Sequence, residues 1–135
     1  MKILNWPLIA IVGASGFVFA AATITAWIQG YEHWVGLIFI AGAGKMAAFF
    51  APKAPMRNAF IAGFFMGLTA VWTQAAFLDL YFKNNPAYLA VEIPFGLDAR
   101  SWTIIFAPAG AILVGILSSL VSWPIAKLTK ALRKS

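Results

Sequence analysis

Lys45 is the residue of this chain best placed to carry chemistry. It lies in the apolar run GAGKMAAFF, seven residues before Pro52. At 1.5 Å per residue that is roughly 10 Å into an apolar layer. A lysine at the bilayer centre costs roughly 3 kcal/mol on insertion scales. Two chemistries would offset that cost. The stem can snorkel, carrying the ammonium toward the inner headgroups. Alternatively, Lys45 faces the bundle interior or a partner subunit and meets an anion, a lipid phosphate or a polar cluster. Ser15, Ser118 and Ser119 fall at a similar depth along antiparallel helices and would solvate the ammonium. No carboxylate of the chain does.

Asp79 is the second candidate. It falls near the outer end of an apolar stretch, with Thr73 and Gln74 about one turn deeper and Tyr81 beside it. One reading is an interfacial charge paired with Lys83 at i+4. The other is an ion or proton site at an outer mouth that Gln74 and Thr73 continue inward, although interhelical hydrogen bonding is the commoner use of such groups. Lys45 and Asp79 are about 20 Å apart along the membrane normal at 1.5 Å per residue, too far for an ion pair.

The remaining chemistry-bearing residues do not form a set. Glu32 and His33 share a turn, where a lone histidine reads as a solvated loop residue. A metal or pH-sensing role would need a second ligand such as Glu92. Glu92, Asp98 and Arg100 read as surface pairs worth little energetically. Gly42, Gly44 and Lys45 carry part of a phosphate-loop pattern, but Phe39 and Met46 occupy the positions that need glycine and Ser or Thr. With no cysteine, one histidine and four acids, neither a nucleophile–base pair nor a metal cage is expected. An enzyme is therefore not the expected class, and no cofactor is expected.

Composition identifies the solvent of these residues. Hydrophobic residues make up 62% of the 135-residue chain and charged residues 10%. Average soluble domains have roughly 45–50% and roughly 25%. A soluble chain of this size could not hide so much apolar surface. Four apolar stretches, at about 7–28, 34–52, 59–82 and 102–125, each match the roughly 20 residues that a helix needs to cross a bilayer. Barrel strands would be shorter and alternate in polarity. The expected fold is thus all-α, an integral membrane bundle of four helices forming one domain. Residues 1–22 also resemble a secretory leader, with Ala20, Ala21 and Ala22 at a cleavage site. The apolar run continues to Ile28 past Trp27, so a retained span is the reading adopted.

Orientation follows from the basic residues. Lys2, Lys53, Arg57, Lys127, Lys130, Arg133 and Lys134 fall on one side of a four-span arrangement. The other side has Lys83 and Arg100 with all four acids. The positive-inside rule places both termini in the cytoplasm. Trp6 and Trp123 mark the inner interface and Trp27, Trp34 and Trp102 the outer one, with Trp72 well inside a span. Size and the lack of targeting signals favour the bacterial inner membrane. The basic tail KLTKALRKS reads as topogenic and lipid-facing. It lacks the stacking aromatics that nucleic-acid binding uses.

The links should be short at 29–33 and 53–58, making sequential helices antiparallel neighbours. The outer loop 83–100 is longer. Asn85 before Pro86 predicts an N-cap and a short amphipathic helix to about Ile93, carrying Tyr88, Leu89, Val91 and Ile93, with Phe95 and Leu97 following. Asp98 or Ser101 should cap the fourth span, and Pro108 should kink or loosen it. Small residues mark where backbones approach in lipid: Gly16 and Ala20 on the first span, Gly63 and Gly67 on the third, and Ala107, Ala111 and Gly115 on the fourth. These serve packing within the bundle or a self-association face.

Two function classes follow. The first is an accessory or scaffold subunit docked on other membrane subunits. The alternative is a small homo-oligomeric transporter or channel built on Lys45, Asp79, Gln74 and Thr73.

Overall fold

Asn5 starts the first helix. Its side-chain oxygen accepts the Leu8 N–H at 3.2 Å, and Pro7 sits in the first turn, where no N–H is needed. From that start a computed structural model describes residues 4–90 and 92–132. Lys2, Arg133 and Lys134 of the charge argument, and Val91 of the loop, lie outside the described residues. The structure is 85% helix, with no strand among the described residues. Its helices are α1 (Trp6–Ile24), α2 (Glu32–Phe50), α3 (Pro55–Ala76), the short α4 (Leu78–Asn84) and α5 (Ala99–Leu132). α1, α2, α3 and α5 are long and apolar enough to cross a membrane.

α1 stops at Ile24, four residues short of the expected Ile28. The Ala26 N–H donates to the Thr23 carbonyl at 3.1 Å and the Trp27 N–H to the Ala22 carbonyl at 3.0 Å. Ala26 itself has φ +58°. This is a Schellman ending, which normally uses glycine at that position. Alanine there keeps the left-handed penalty of roughly 1–2 kcal/mol. Ala26→Gly is therefore expected to raise stability by about 0.5–1 kcal/mol, read as a higher unfolding temperature. An unchanged or lower temperature would contradict the motif.

The third apolar stretch is two helices. The chain leaves helical geometry at Phe77 (φ −108°, ψ 30°) and restarts at Leu78. The break lets α4 fold over the end of α1, where Asn84 and Asn85 donate side-chain bonds to the Ile24 and Thr23 carbonyls at 2.7 and 3.0 Å. Asn85 is thus fully buried and holds α1; its side chain is not a helix cap. The loop helix expected to Ile93 is replaced by two 3₁₀ turns, Pro86–Ala90 and Pro94–Gly96. Because α3 ends at Ala76, Trp72 lies one turn from a helix end and half-exposed, not well inside a helix as expected.

α5 runs 34 residues, beyond the expected 102–125, and stays helical through Pro108 and Pro124. Both prolines face outward. Membrane helices tolerate proline where local adjustments and neighbours satisfy the freed carbonyl. Asp98 is the cap: its Oδ1 accepts the N–H of Arg100 and of Ser101, each at 3.0 Å, and its Oδ2 accepts the Ser101 hydroxyl at 2.6 Å. The Ser101 bonds hold the Asp98 carboxyl below its usual range.

α3 touches each of the other long helices, most extensively α5 and α1. α2 packs chiefly on α5 and only sparsely on α1, although a short link joins those two. α1 and α2 are therefore neighbours as expected, through contacts such as Phe19 with Phe39, but each packs more closely on another helix, and the small residues explain why. A Cβ on Gly16 would collide with the Met66 carbonyl oxygen and Thr69 Oγ1 of α3. A Cβ on Gly63 would lie 2.6 Å from Ser118 Oγ, one on Gly67 3.0 Å from Ala111 Cα, and one on Gly115 2.8 Å from the Phe60 carbonyl. Ala20, Ala107 and Ala111 are buried. The expected glycine positions thus close on α3 or α5 within the chain, with Ala111 against Gly67.

Two ends can now be distinguished. The basic end has Lys53, Arg57, Lys127 and Lys130, with the Lys127 ammonium 4.0 Å above the Trp123 ring. The acidic end has Glu32, Asp79, Glu92 and Asp98.

Candidate functional site

At the acidic end the polar residues converge on the end of α1. Thr23 is buried. Its hydroxyl accepts from Gln74 Nε2 of α3 at 2.7 Å and donates to the Ala20 carbonyl at 2.8 Å. Gln74 is thus tied across the helices, the commoner of its two expected uses. Thr73 bonds back along its own helix to the Thr69 carbonyl at 2.6 Å.

Asp79 stands apart from this cluster. It lies on α4, and its side chain is 95% exposed. Its carboxylate pairs with the Arg100 guanidinium at 3.1 Å. Arg100, not the expected Lys83, is the partner. An exposed pair of this kind contributes little. Asp79 and Gln74 do not form a shared mouth.

Gln74 instead lines two grooves. One, of about 380 Å³, is walled by Phe19, Gly36, Ile40, Met66, Val71 and Val114, with Glu32, His33 and Gln74 as its polar residues. All four long helices contribute to it. The other, of about 370 Å³, holds Tyr81, Tyr88, Glu92, Trp102 and Thr103. Glu32 is the unusual member: its Oε1 is buried and has no hydrogen-bond partner among the described residues. The Tyr81 phenol is pushed up to about 12, first by burial, then by Tyr88, and then by the Glu32 charge. An unpaired acceptor at one end of an apolar groove can hold a donor on a ligand.

Lys45 is elsewhere. It lies on α2, five residues before Phe50, with its side chain outward and exposed. The serines expected to solvate it are engaged elsewhere. Ser15 bonds to the Val12 carbonyl at 2.6 Å and Ser119 to the Met56 carbonyl at 2.8 Å, while Ser118 is buried against Gly63. Among the described residues the Lys45 ammonium has no polar partner. Trp34, Ile38, Ala41 and Phe49 share its exposed face.

Three residues that matter here were not singled out as site residues by sequence. Thr23 lies in an apolar run with no other polar neighbour than Thr25. Asn85 read as a cap. Asn58, read as the end of a link, is fully buried at the basic end. The available signal for the asparagines was an uncharged amide beside a span, where only an internal partner satisfies it. Comparison with known proteins gives no match: no family model fits the chain, and no curated protein and no solved structure is significantly similar.

Proposed function

We propose that this chain is an accessory subunit of a larger membrane assembly, without chemistry of its own, and that it docks through the outward face of α2. Both termini are cytoplasmic in this reading and the membrane is the bacterial inner one, on the strength of the basic end and the positive-inside rule. Lys45 carries the proposal. α2 is the least enclosed of the four long helices, with 22% of its apolar window buried. A lysine projects from the basic half of its free face, five residues before Phe50, at a depth where charge is costly. All four acids of the chain belong to the other end. A second copy inserted the same way would bring no carboxylate to that depth and would place lysine against lysine in a symmetric pair. The fitting partner is a different subunit with a carboxylate in a membrane helix.

The test is native mass spectrometry of protein extracted gently from its own host. A foreign membrane subunit in fixed ratio is expected. Lys45→Met should lose most of it while still inserting and folding, and Lys45→Arg should keep it. Retention of the partner by Lys45→Met would mean that the lysine only snorkels.

A second reading, a small homo-oligomeric transporter, is favoured by the groove that all four helices line. Against it, the basic half is tightly closed, with a Cβ on Gly44 falling 2.6 Å from the Ser118 carbonyl. A homo-oligomer recovered without a partner would move the weight to transport. Lys45, Asp79, Gln74 and Thr73 would then be the first residues for a flux assay.

A further inference from the structure

We infer that the groove at the acidic end is a binding site for a single-chain hydrophobic amine, with its protonated nitrogen on Glu32 and its hydrocarbon along the groove. This does not rest on the accessory role, since α2 offers one face to the groove and another to Lys45.

Three observations select the ligand class. The groove of about 380 Å³ has the size and the mostly apolar lining of a small-molecule site. It runs beside the membrane-crossing helices, and Glu32 is the first residue of α2, so the charged group lies at the rim and the apolar walls lie deeper. A chain with one polar head fits that gradient. The Glu32 Oε1 is buried without a hydrogen-bond donor, and an ammonium N–H supplies both the donor and the countercharge. Finally, no Lys or Arg lines the groove. A phosphate or sulfate head would meet Glu32 as a like charge, with the His33 imidazole as the one group of the lining that could offset it. The phosphate of a zwitterionic phospholipid would likewise find no Lys or Arg to meet. The occupant is therefore a monocation with N–H groups, not an anion and not a phospholipid.

Isothermal titration of n-dodecylammonium into the full chain in nanodiscs of phosphatidylcholine, with empty discs subtracted, tests this. Saturable one-to-one binding is expected. Dodecanol, of equal chain length without charge, should not saturate. Dodecyltrimethylammonium, with charge but no N–H, should bind more weakly. Glu32→Gln should weaken dodecylammonium by about tenfold or more, the ratio expected for a charge-assisted hydrogen bond. Gly36→Leu blocks the groove by shape alone. A Cβ there lies 3.6 Å from the Phe19 ring, an ordinary contact, and the rest of the leucine side chain would occupy the groove, so the variant should abolish binding while its unfolding temperature reports whether the fold is kept. Equal binding of dodecanol, undiminished binding by Glu32→Gln, or binding that survives Gly36→Leu would each overturn the proposal. So would displacement of dodecylammonium by phosphatidylethanolamine in the discs, which would assign the groove to a lipid.

Discussion

Alanine at position 16 is expected to unseat α1 from α3 and to cost about 1–3 kcal/mol, the usual range for overpacking a close-packed contact. The added Cβ would meet the Met66 carbonyl oxygen and Thr69 Oγ1, with the Ala70 nitrogen 3.0 Å away. Two of these three are backbone atoms of α3 and cannot turn aside. Thr69 cannot turn freely either, because its hydroxyl lies 2.7 Å from the Gly13 carbonyl and is the bond that joins the two helices there. The substitution thus forces the backbones apart and stretches that bond. Gly42 provides the control. It also lies inside a long helix, but nothing is within 4 Å of a Cβ at that position. Helix propensity alone favours alanine over glycine by about 1 kcal/mol. Gly42→Ala should therefore be neutral or stabilising, and the difference between the two variants isolates the packing cost. Thermal unfolding in detergent measures both. If Gly16→Ala unfolds at the wild-type temperature, the close approach of α1 and α3 is not what holds them.

The four long helices were legible in the sequence because the bilayer fixes their length and removes every alternative for the backbone. Their ends were not. α1 ends in a glycine motif without the glycine, so nothing before Gly30 announced the turn at Ala26. The third stretch stayed apolar across the break at Phe77, and only the pull of Asn84 and Asn85 on the α1 carbonyls explains the separate α4. The site was not legible either: Asp79 pairs with Arg100 and Gln74 with Thr23, partners far away in sequence. The small residues were legible for a physical reason: close backbone approach in lipid leaves a spacing in the sequence, and Gly16, Gly63, Gly67 and Gly115 all sit at such contacts. The direction of Lys45 was not legible. A helix that is apolar all round does not reveal its rotation, and serines free at the right depth could not be told from serines engaged elsewhere.

The two ends of the helical array follow one rule, which is that uncharged amides fasten helix termini whose backbone groups the membrane would leave unpaired. Asn84 does this for the Ile24 carbonyl at the end of α1, and Asn85 adds a second donor to the Thr23 carbonyl, which the Ala26 N–H already meets. At the basic end Asn5 caps α1 with its oxygen and donates Nδ2 to the Phe50 carbonyl at the end of α2, at 3.0 Å. Asn58 of α3 completes the set. Sequence distance is bridged here by hydrogen bonds rather than by charge, which leaves the lysines and arginines of that end to set topology.

Replacing Asn58 by alanine should accordingly be among the most damaging single changes at the basic end. Asn58 is fully buried. Its Oδ1 accepts the Asn5 backbone N–H at 2.7 Å, and its Nδ2 donates to the Ala54 carbonyl at 2.8 Å. Interhelical side-chain bonds in membranes average only about 0.6 kcal/mol, because the separated helices find other partners. That average does not apply here. Alanine cannot accept, so the Asn5 N–H would be left unpaired against the packed start of α3, and an orphaned buried donor costs about 1–3 kcal/mol. The amide volume is lost as well, and the neighbours Ala59 and Ala62 are too small to fill it. The expected loss is about 2–3 kcal/mol from these two terms together, measured by unfolding in detergent. Asn58→Asp separates them. It keeps the shape and the acceptor while giving up the donor to Ala54, so the Asn5 contact should persist and hydrogen exchange at the Asn5 amide should stay slow. Fast exchange there in Asn58→Ala with slow exchange in Asn58→Asp would locate the loss at this one bond. A cost below about 0.6 kcal/mol for Asn58→Ala would return Asn58 to the ordinary interhelical class and would mean that headgroup water takes the place of the amide.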